Sequence, residues 1–597
     1  MKRYVGIDLG TTNSTISVAH LTVRGDIDSK TLEVKQVDEK GNNLTQDRTL
    51  PSVLYIDEQN NPYVGKFAKR MAGVYPKRVI REVKRYMGES VSWTMNGTDI
   101  RPEIVSSYVL KLLRAQVEEY YSGEKIKRVV ITVPANFNFQ QEQATRTAAV
   151  LAGFDKEQIH TIPEPTAALI DFLNEEKKLD ATARRLRFDG KKKNLLVFDL
   201  GGGTCDVSIL QVEERPDGGI DIQELSISQY TELGGIDFDK RVTQYLLQTK
   251  LLKNHLKLKT QEFMARYDDN VKLRLQENLL DFAEKAKTFF STRIENQLRI
   301  SNREYFDCKD EFNHLVYKEM LNDQLPEELV TLLSITKEEY DKVIEPLMYQ
   351  EKAKAGHSNI EGPILNALKS AKLGEMKRED IDAVFLVGGM TFYPTIQERL
   401  FDIFDRRIKP IRTINPMHSV SRGAAVYHHM LDKIQIRSSD QLTKAEDSFI
   451  IPEVVVSNIV PNHIFIDVVG SDPVALLEKG TKLPFERLIE DKFFVTGPSD
   501  REDVNAMQLD LFTAESAKSL NMKKLKSAVI NFKKPVKKNS KLVLKVVCNQ
   551  EREVSVKAWL KEDETEVIDV NIGAHEFTDE EKDSIRNQLE KINQIKR

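Results

Sequence analysis

The chain has 597 residues, a formal net charge of −4 and 30% charged residues of both signs. That length predicts several domains with ample core, and the mixed charge gives no electrostatic case for nucleic acid as a partner. The three cysteines, Cys205, Cys308 and Cys548, lie too far apart for metal spacing and read as reduced thiols in a reducing compartment.

Lys2 and Arg3 open the chain, but Asp8 and the polar run Thr11 to Ser14 interrupt any apolar stretch, so no signal peptide is expected. No apolar run approaches the roughly 18 residues of a membrane span. The expectation is a cytoplasmic protein with no membrane partner.

Val5 to Asn13 reads as a strand that ends in Asp8 and turns through Gly10, Thr11 and Thr12. Lys127 to Val133 is a buried strand, and Gln140 to Ala152 a helix. Leu195 to Val207 is the fullest signal: an apolar run ends in Asp199, turns on Gly201, Gly202 and Gly203, and returns through Thr204 and Asp206. Ile381 to Val387 is another buried strand, stopped by Gly388 and Gly389. Alternating strands and helices predict an α/β architecture over residues 1–432. Asp8 and Asp199, about 190 residues apart, open matching hairpins, which suggests a duplicated lobe with the ligand between the copies.

The pattern weakens over 433–447, which reads as a linker. Residues 448–573 read as strands: Met507, Leu509 and Leu511 alternate with Gln508 and Asp510, and Val554, Val556 and Ala558 with Ser555 and Lys557. Period-two alternation predicts half-buried antiparallel strands of a β-sandwich, two of them joined by the turn Asn549 to Arg552. Over 577–597 one short helix is expected, capped by Thr578 and Glu581, with Ile585, Leu589 and Ile592 on one face.

No GxxxxGK[ST] occurs, so a P-loop is excluded, and no GxGxxG follows a strand. Two glycine hairpins with a carboxylate at each strand end offer another phosphate logic. Glycine lets backbone N–H groups approach a phosphate closely, and carboxylates suit hydrated Mg²⁺. Asp8 and Asp199 fit the metal's water shell. Thr11, Thr12 and the amides of Gly201 to Thr204 fit phosphate oxygens, and Asp206 fits the attacking water. Gly388 and Gly389 can let a ribose or base approach the backbone.

Asp8 to Ser14, Glu164 to Ala168, Asp199 to Asp206, Leu233 to Asp239 and Val387 to Gly389 occur in that order. In this the chain resembles the seventy-kilodalton heat-shock chaperone family, on the actin-like ATPase fold. The resemblance covers almost the whole chain, closely to about residue 430 and loosely beyond. It implies ATP and ADP as ligands, with Mg²⁺ held through water by Asp8 and Asp199 and K⁺ beside it. Lys84, Glu164, Asp199, Thr204 and Asp206 become the catalytic set. Gly10, Thr11, Thr12, Asn13, Gly201, Gly202, Gly203, Gly234, Gly235, Gly388 and Gly389 hold the nucleotide. Glu284, Lys287 and Ser291 hold its ribose and adenine, with Phe392 where the family has a stacking arginine. The resemblance also implies extended apolar polypeptide clients in the β-domain, with Ile466, Met507 and Leu509 lining the pocket. J-domain proteins and nucleotide exchange factors are the partners it suggests.

Several positions depart from the family. Pro134 matches its switch proline, but the arginine eight residues later is Glu142, a reversed charge that suggests weakened interdomain communication. Thr288 replaces a second base-site residue. The linker lacks the usual leucine-rich run, and the lid bundle is expected to be absent, so that clients leave quickly. The leading expectation is an ATP-dependent chaperone. The alternatives are a nucleotide-gated regulator or exchange partner of another chaperone, and a sugar or glycerol kinase on the same fold.

Overall fold

The computed structural model describes residues 2–23, 25–180, 182–216, 218–321, 324–353, 358–371, 374–412, 415–440, 454–467, 473–496, 503–514, 522–571 and 578–590. Two sheets share one topology. In the first, the strands run in the order Ile159–Pro163, Val129–Val133, Tyr4–Asp8, Asn13–Leu21, Ile27–Thr31. The first three are mutually parallel and the last two antiparallel. The second repeats this with Ile411–Arg412, Ala383–Val387, Lys193–Leu200, Cys205–Glu214 and Ile220–Ile227. Each sheet thus has near its centre a largely apolar strand with an aspartate at or one residue before its end, Asp8 and Asp199, and the duplication anticipated from the two hairpins is present.

Helices cover the sheets. Phe139–Leu151 starts at a reciprocal cap: Asn138 Oδ1 accepts the Gln141 amide at 3.0 Å, and Gln141 Oε1 accepts the Asn138 amide at 2.9 Å. Asp269–Ser301 is capped by Asp268 and buries Leu275, Leu279, Phe282, Ala286, Phe290 and Ile294 in the second-lobe core. That spacing leaves Glu284, Lys287, Thr288, Ser291 and Glu295 on its opposite side, facing the cleft.

The C-terminal strands form two four-stranded antiparallel sheets, Val474–Leu477, His463–Ile466, Asp503–Ala514, Lys523–Lys537 and Phe485–Phe494, Lys541–Cys548, Val554–Leu560, Asp563–Asn571. A shared apolar core fills the space between them. Phe139, from the first-lobe helix, belongs to that core as well. Burying such a ring contributes about 1.5–3 kcal/mol to holding the two parts together.

Two boundaries differ from the sequence expectation. Helix Ser419–Asp440 runs through the first half of the anticipated linker, and residues 441–447 lie outside the described residues. Strand Val454–Ser457, expected within the C-terminal domain, instead extends the second-lobe sheet, parallel to Ile220–Ile227. An edge strand with open N–H and C=O groups accepts a β-branched run, and Val454, Val455 and Val456 supply one.

The last helix, Asp579–Leu589, has the anticipated cap, with Glu581 N–H donating to Thr578 Oγ1 at 3.2 Å and Thr578 N–H to Glu581 Oε2 at 2.7 Å. Ile585 and Leu589 pack into the first-lobe core, against helix Pro102–Tyr120. Ile592 lies outside the described residues.

Candidate functional site

The two aspartate hairpins meet face to face. A Cβ placed on Gly202 would fall 1.8 Å from Thr12 Oγ1, and one on Gly203 2.4 Å from Thr11 Cγ2. Only glycine permits that approach. The third glycine turn closes from the side: Gly388 has φ 84°, and a Cβ there would sit 2.5 Å from Asp199 Oδ1. Between the lobes lies a cavity of about 470 Å³. Its lining brings together Asp8, Gly10, Thr11, Thr12, Asn13, Lys84, Glu164, Asp199, Gly201, Gly202, Thr204, Gly235, Glu284, Lys287, Ser291, Gly388, Gly389 and Phe392.

Three of the anticipated residues stand behind that wall. Gly203 offers its carbonyl to Arg85, whose Nη2 donates at 2.7 Å. Gly234 caps helix Gly235–Tyr245, its amide donating to Asp237 Oδ2 at 2.7 Å. Asp206 is buried, with its Oδ1 accepting a short hydrogen bond from Asn136 Nδ2.

Charge is concentrated here. Lys84 Nζ donates a short hydrogen bond to Glu164 Oε1, and both side chains are buried. Lys84 sits in a 3₁₀ turn, Val83–Tyr86, that follows the left-handed Glu82. Burial, and then Glu164, push the Asp8 carboxyl up to about 7, against Lys84 and Thr132. Burial drives Asp199 well up too, with Glu164, Asp206 and Asp8 adding to it. Asp206 rises to about 7 through burial and Glu164. Burial opposes the charge on Lys84, but Glu164 and Asp8 outweigh it and hold its pKa above the ordinary value. Four carboxylates around one ammonium are a site short of positive charge. A divalent cation would let them ionise together, so the donor set fits hydrated Mg²⁺. Thr12 Oγ1, buried without a hydrogen-bond partner, fits a phosphate oxygen.

At the far end, Lys287 Nζ pairs with Asp239 at 2.6 Å and Glu284 with Lys69 at 2.6 Å. Phe392 lines the cavity, and the Arg412 guanidinium stacks 5.0 Å from its ring centroid while pairing with Glu295 at 2.5 Å. The guanidinium that the sequence lacks at position 392 thus stands one layer behind it.

The β-domain reaches this machinery through the turn after strand Lys541–Cys548. Arg552 donates to Ala135 O at 2.7 Å and to Glu224 Oε2 at 2.9 Å, and its Nη1 lies 3.6 Å from Glu142 Oε1. Glu551 pairs with Arg146 at 2.7 Å and with His160 Nδ1 at 2.5 Å. The reversed charge at Glu142 therefore faces an opposite charge from the β-domain. Pro134 is buried as well. Ile466 and Leu509 fill the core between the two sheets, with Met507 at its edge, because paired strands turn these side chains inward.

Lys69, Arg85, Asn136, Arg412 and Arg552 carry no local motif, and sequence reasoning assigned them no role. Their partners lie far away in the chain, so no spacing rule marks them.

Two lobes of one topology, closed on a cavity floored by paired aspartate hairpins, define a two-lobed nucleotide-binding protein. The family model described as Hsp70 protein matches residues 4–96 and 89–595, and the chain belongs to that family. Its fold is the family's actin-like ATPase lobes followed by a β-sandwich domain. Similar curated proteins include the chaperone protein DnaK of Thermosipho melanesiensis, 31% identical over 84% of this chain and 69% of its own length. DnaK of Thermosipho africanus is 30% identical and that of Thermotoga petrophila 31%, over the same shares. No helix among the described residues is long and apolar enough to cross a membrane.

Proposed function

We propose that this chain is an ATP-dependent molecular chaperone, in which ATP hydrolysis in the interlobe cleft controls binding of extended apolar peptide segments by the β-domain. The observation that supports this most is the paired hairpin cavity with Lys84 and Glu164 at its floor and the β-domain docked behind it.

In this reading Asp8 and Asp199 would hold hydrated Mg²⁺, with K⁺ as a second cation, and the metal would supply neutralising charge at the phosphates. Thr11, Thr12 and the backbone of Gly201 to Thr204 donate to phosphate oxygens, and Gly10 and Asn13 shape the first hairpin. Lys84 stabilises the charge that develops on the γ-phosphate, while Glu164 orients Lys84. Gly234 and Gly235 keep the helix start close to the phosphates. Glu284, Lys287 and Ser291 hold the ribose and base edge, and Phe392 covers the purine face. J-domain and exchange-factor partners belong to the same proposal.

A second reading is a nucleotide-gated regulator or exchange partner of another chaperone. The burial of Ile466 and Leu509 in the β-domain core favours it. ATPase rates of the wild type and Asp199→Asn, with and without an unfolded apolar peptide, separate the two. Peptide stimulation that is lost in Asp199→Asn supports the chaperone, and hydrolysis indifferent to peptide supports the regulator.

A further inference from the structure

Tyr230 lies on the segment that leaves strand Ile220–Ile227 of the second lobe. Two backbone hydrogen bonds lay that segment along the hairpin of Asp199: Ser228 N–H donates to Val207 O at 2.8 Å, and Cys205 N–H donates to Thr231 O at 3.1 Å. Ser228 Oγ also accepts from the Val207 amide at 3.0 Å. These bonds bracket Asp206 and set residues 229 and 230 opposite it. The half-buried Tyr230 ring crosses to the first lobe, where it packs against the core 6.4 Å from the ring of Phe137. Asn136, the residue before Phe137, donates from Nδ2 to Asp206 Oδ1. Tyr230, Asn136 and Asp206 therefore meet where the two lobes join behind the cleft.

Each of the three brings one buried polar atom that has no hydrogen-bond partner among the described residues: Tyr230 Oη, Asn136 Oδ1 and Asp206 Oδ2. Burial, and then the Asp206 carboxylate, push the Tyr230 hydroxyl up, as its position opposite Asp206 requires. The amide oxygen and the carboxylate oxygen only accept, so neither can satisfy the other, and the phenol has one proton to give. A single water meets all three needs. It accepts from Tyr230 Oη and donates one hydrogen to Asn136 Oδ1 and the other to Asp206 Oδ2. Buried waters make about three hydrogen bonds, to groups that would otherwise go unsatisfied.

We propose that a bound water joins Tyr230, Asn136 and Asp206 into a triad that fixes the Asp206 carboxylate at the floor of the cleft, which makes Tyr230 a positioning residue for hydrolysis. The proposal rests on the ATPase reading above, in which Asp206 orients the attacking water. The water of the triad is a different molecule, since none of its three partners lines the cavity. With Asn136 on one oxygen and this water on the other, the carboxylate cannot turn. Its charge, which acts on both Asp199 and Lys84, then meets the reacting groups from one fixed direction. Tyr230 and Asn136 touch neither nucleotide nor attacking water.

If the Tyr230 ring only filled the joint between the lobes, its hydroxyl would be trapped without a partner. Tyr230→Phe would then raise the melting temperature and leave the rate alone, because an unsatisfied buried group costs stability. The triad requires a melting temperature no higher than wild type and a slower reaction. Single-turnover hydrolysis by the full chain at saturating Mg-ATP decides between them for wild type, Tyr230→Phe, Asp206→Asn and the double variant. Tyr230→Phe is expected to hydrolyse about fivefold more slowly, the effect of one lost hydrogen bond, with ATP affinity within about twofold of wild type. In the Asp206→Asn background the same change should alter the rate by less than about twofold, because it acts through that carboxylate. A crystal structure of the full chain should place one water within hydrogen-bond distance of Tyr230 Oη, Asn136 Oδ1 and Asp206 Oδ2. An unchanged rate in Tyr230→Phe, a loss repeated in full without the Asp206 carboxylate, or three atoms that no water bridges would overturn the triad and leave the ATPase reading intact. A wild type that hydrolyses no ATP overturns both.

Discussion

Lys69 of the first lobe and Glu284 of the second face each other across the mouth of the cleft, with Nζ 2.6 Å from Oε2. Burial works against ionisation of Glu284, yet Lys69 and Lys287 together hold its carboxyl below the ordinary range. The pair must part before the lobes can open. Both side chains are about a third exposed, so solvent screens the contact to roughly 0.5–1 kcal/mol. Lys69→Met is therefore expected to speed release of a fluorescent nucleotide about two- to fivefold in stopped flow. The difference should shrink in high salt. An unchanged off-rate at low salt would show that the pair does not limit opening.

The ring of Phe392 with Arg412 behind it is a flat apolar platform on the cavity wall. Base stacking on an aromatic ring contributes about 1–3 kcal/mol by alanine substitution. Phe392→Ala should weaken ATP binding about tenfold in calorimetry, while leaving the affinity for inorganic triphosphate alone unchanged. Wild type should bind ATP more tightly than GTP. Equal affinities would sink the assignment of this end of the cavity to adenine.

These two ends of the site differ in how they could be read in advance. The hairpins at Asp8 and Asp199 were legible because their chemistry is local, an apolar strand, a carboxylate and glycines within about a dozen residues. The helix cap at Thr578 was legible for the same reason, as was the turn at Asn549 to Arg552. Arg552 itself was not, because its contacts with Ala135 and Glu224 span hundreds of residues and depend on docking. Glu142 could be read only as a reversed charge, because Arg552, which faces it at 3.6 Å, lies in the distant β-domain turn. The linker was placed too early because helix propensity continues past residue 432, and a valine-rich segment gives no sign of which sheet it will join.

His428 sits fully buried in helix Ser419–Asp440, beside Tyr4, with the Val5 amide 2.9 Å from Nδ1. Burial, helped by Arg128 and His160, pulls its pKa down to about 3. The unfolded imidazole titrates near 6.5, so between those values the unfolded chain binds the extra proton. The stabilisation is complete above pH 6.5 and is lost as pH falls toward 3. Its loss between pH 7.5 and pH 5 is about 2 kcal/mol. Denaturant melts of wild type and His428→Gln should therefore converge by about that amount at pH 5. Parallel stability curves would mean that His428 is not the group responsible.

Leu589 is 2% exposed in the first-lobe core, on a helix whose exposed pair, Lys111 with Glu590 at 2.7 Å, adds little. Leu589→Ala should cost about 2–3 kcal/mol of local stability. Hydrogen exchange over Asp579–Leu589 would then rise by about two orders of magnitude, with the second lobe unaffected. Exchange that rises equally in both lobes would indicate global unfolding instead of release of the helix.

The contact between Val5 and His428 joins residues 423 positions apart. A ribosome adds about 5–20 residues per second, so the strand Tyr4–Asp8 emerges roughly 20–80 s before the helix that covers it. Through that interval the nascent first lobe exposes the apolar face it will later bury against Val426 and Met430. During its own synthesis this chain presents the kind of surface that other chaperones are built to shelter.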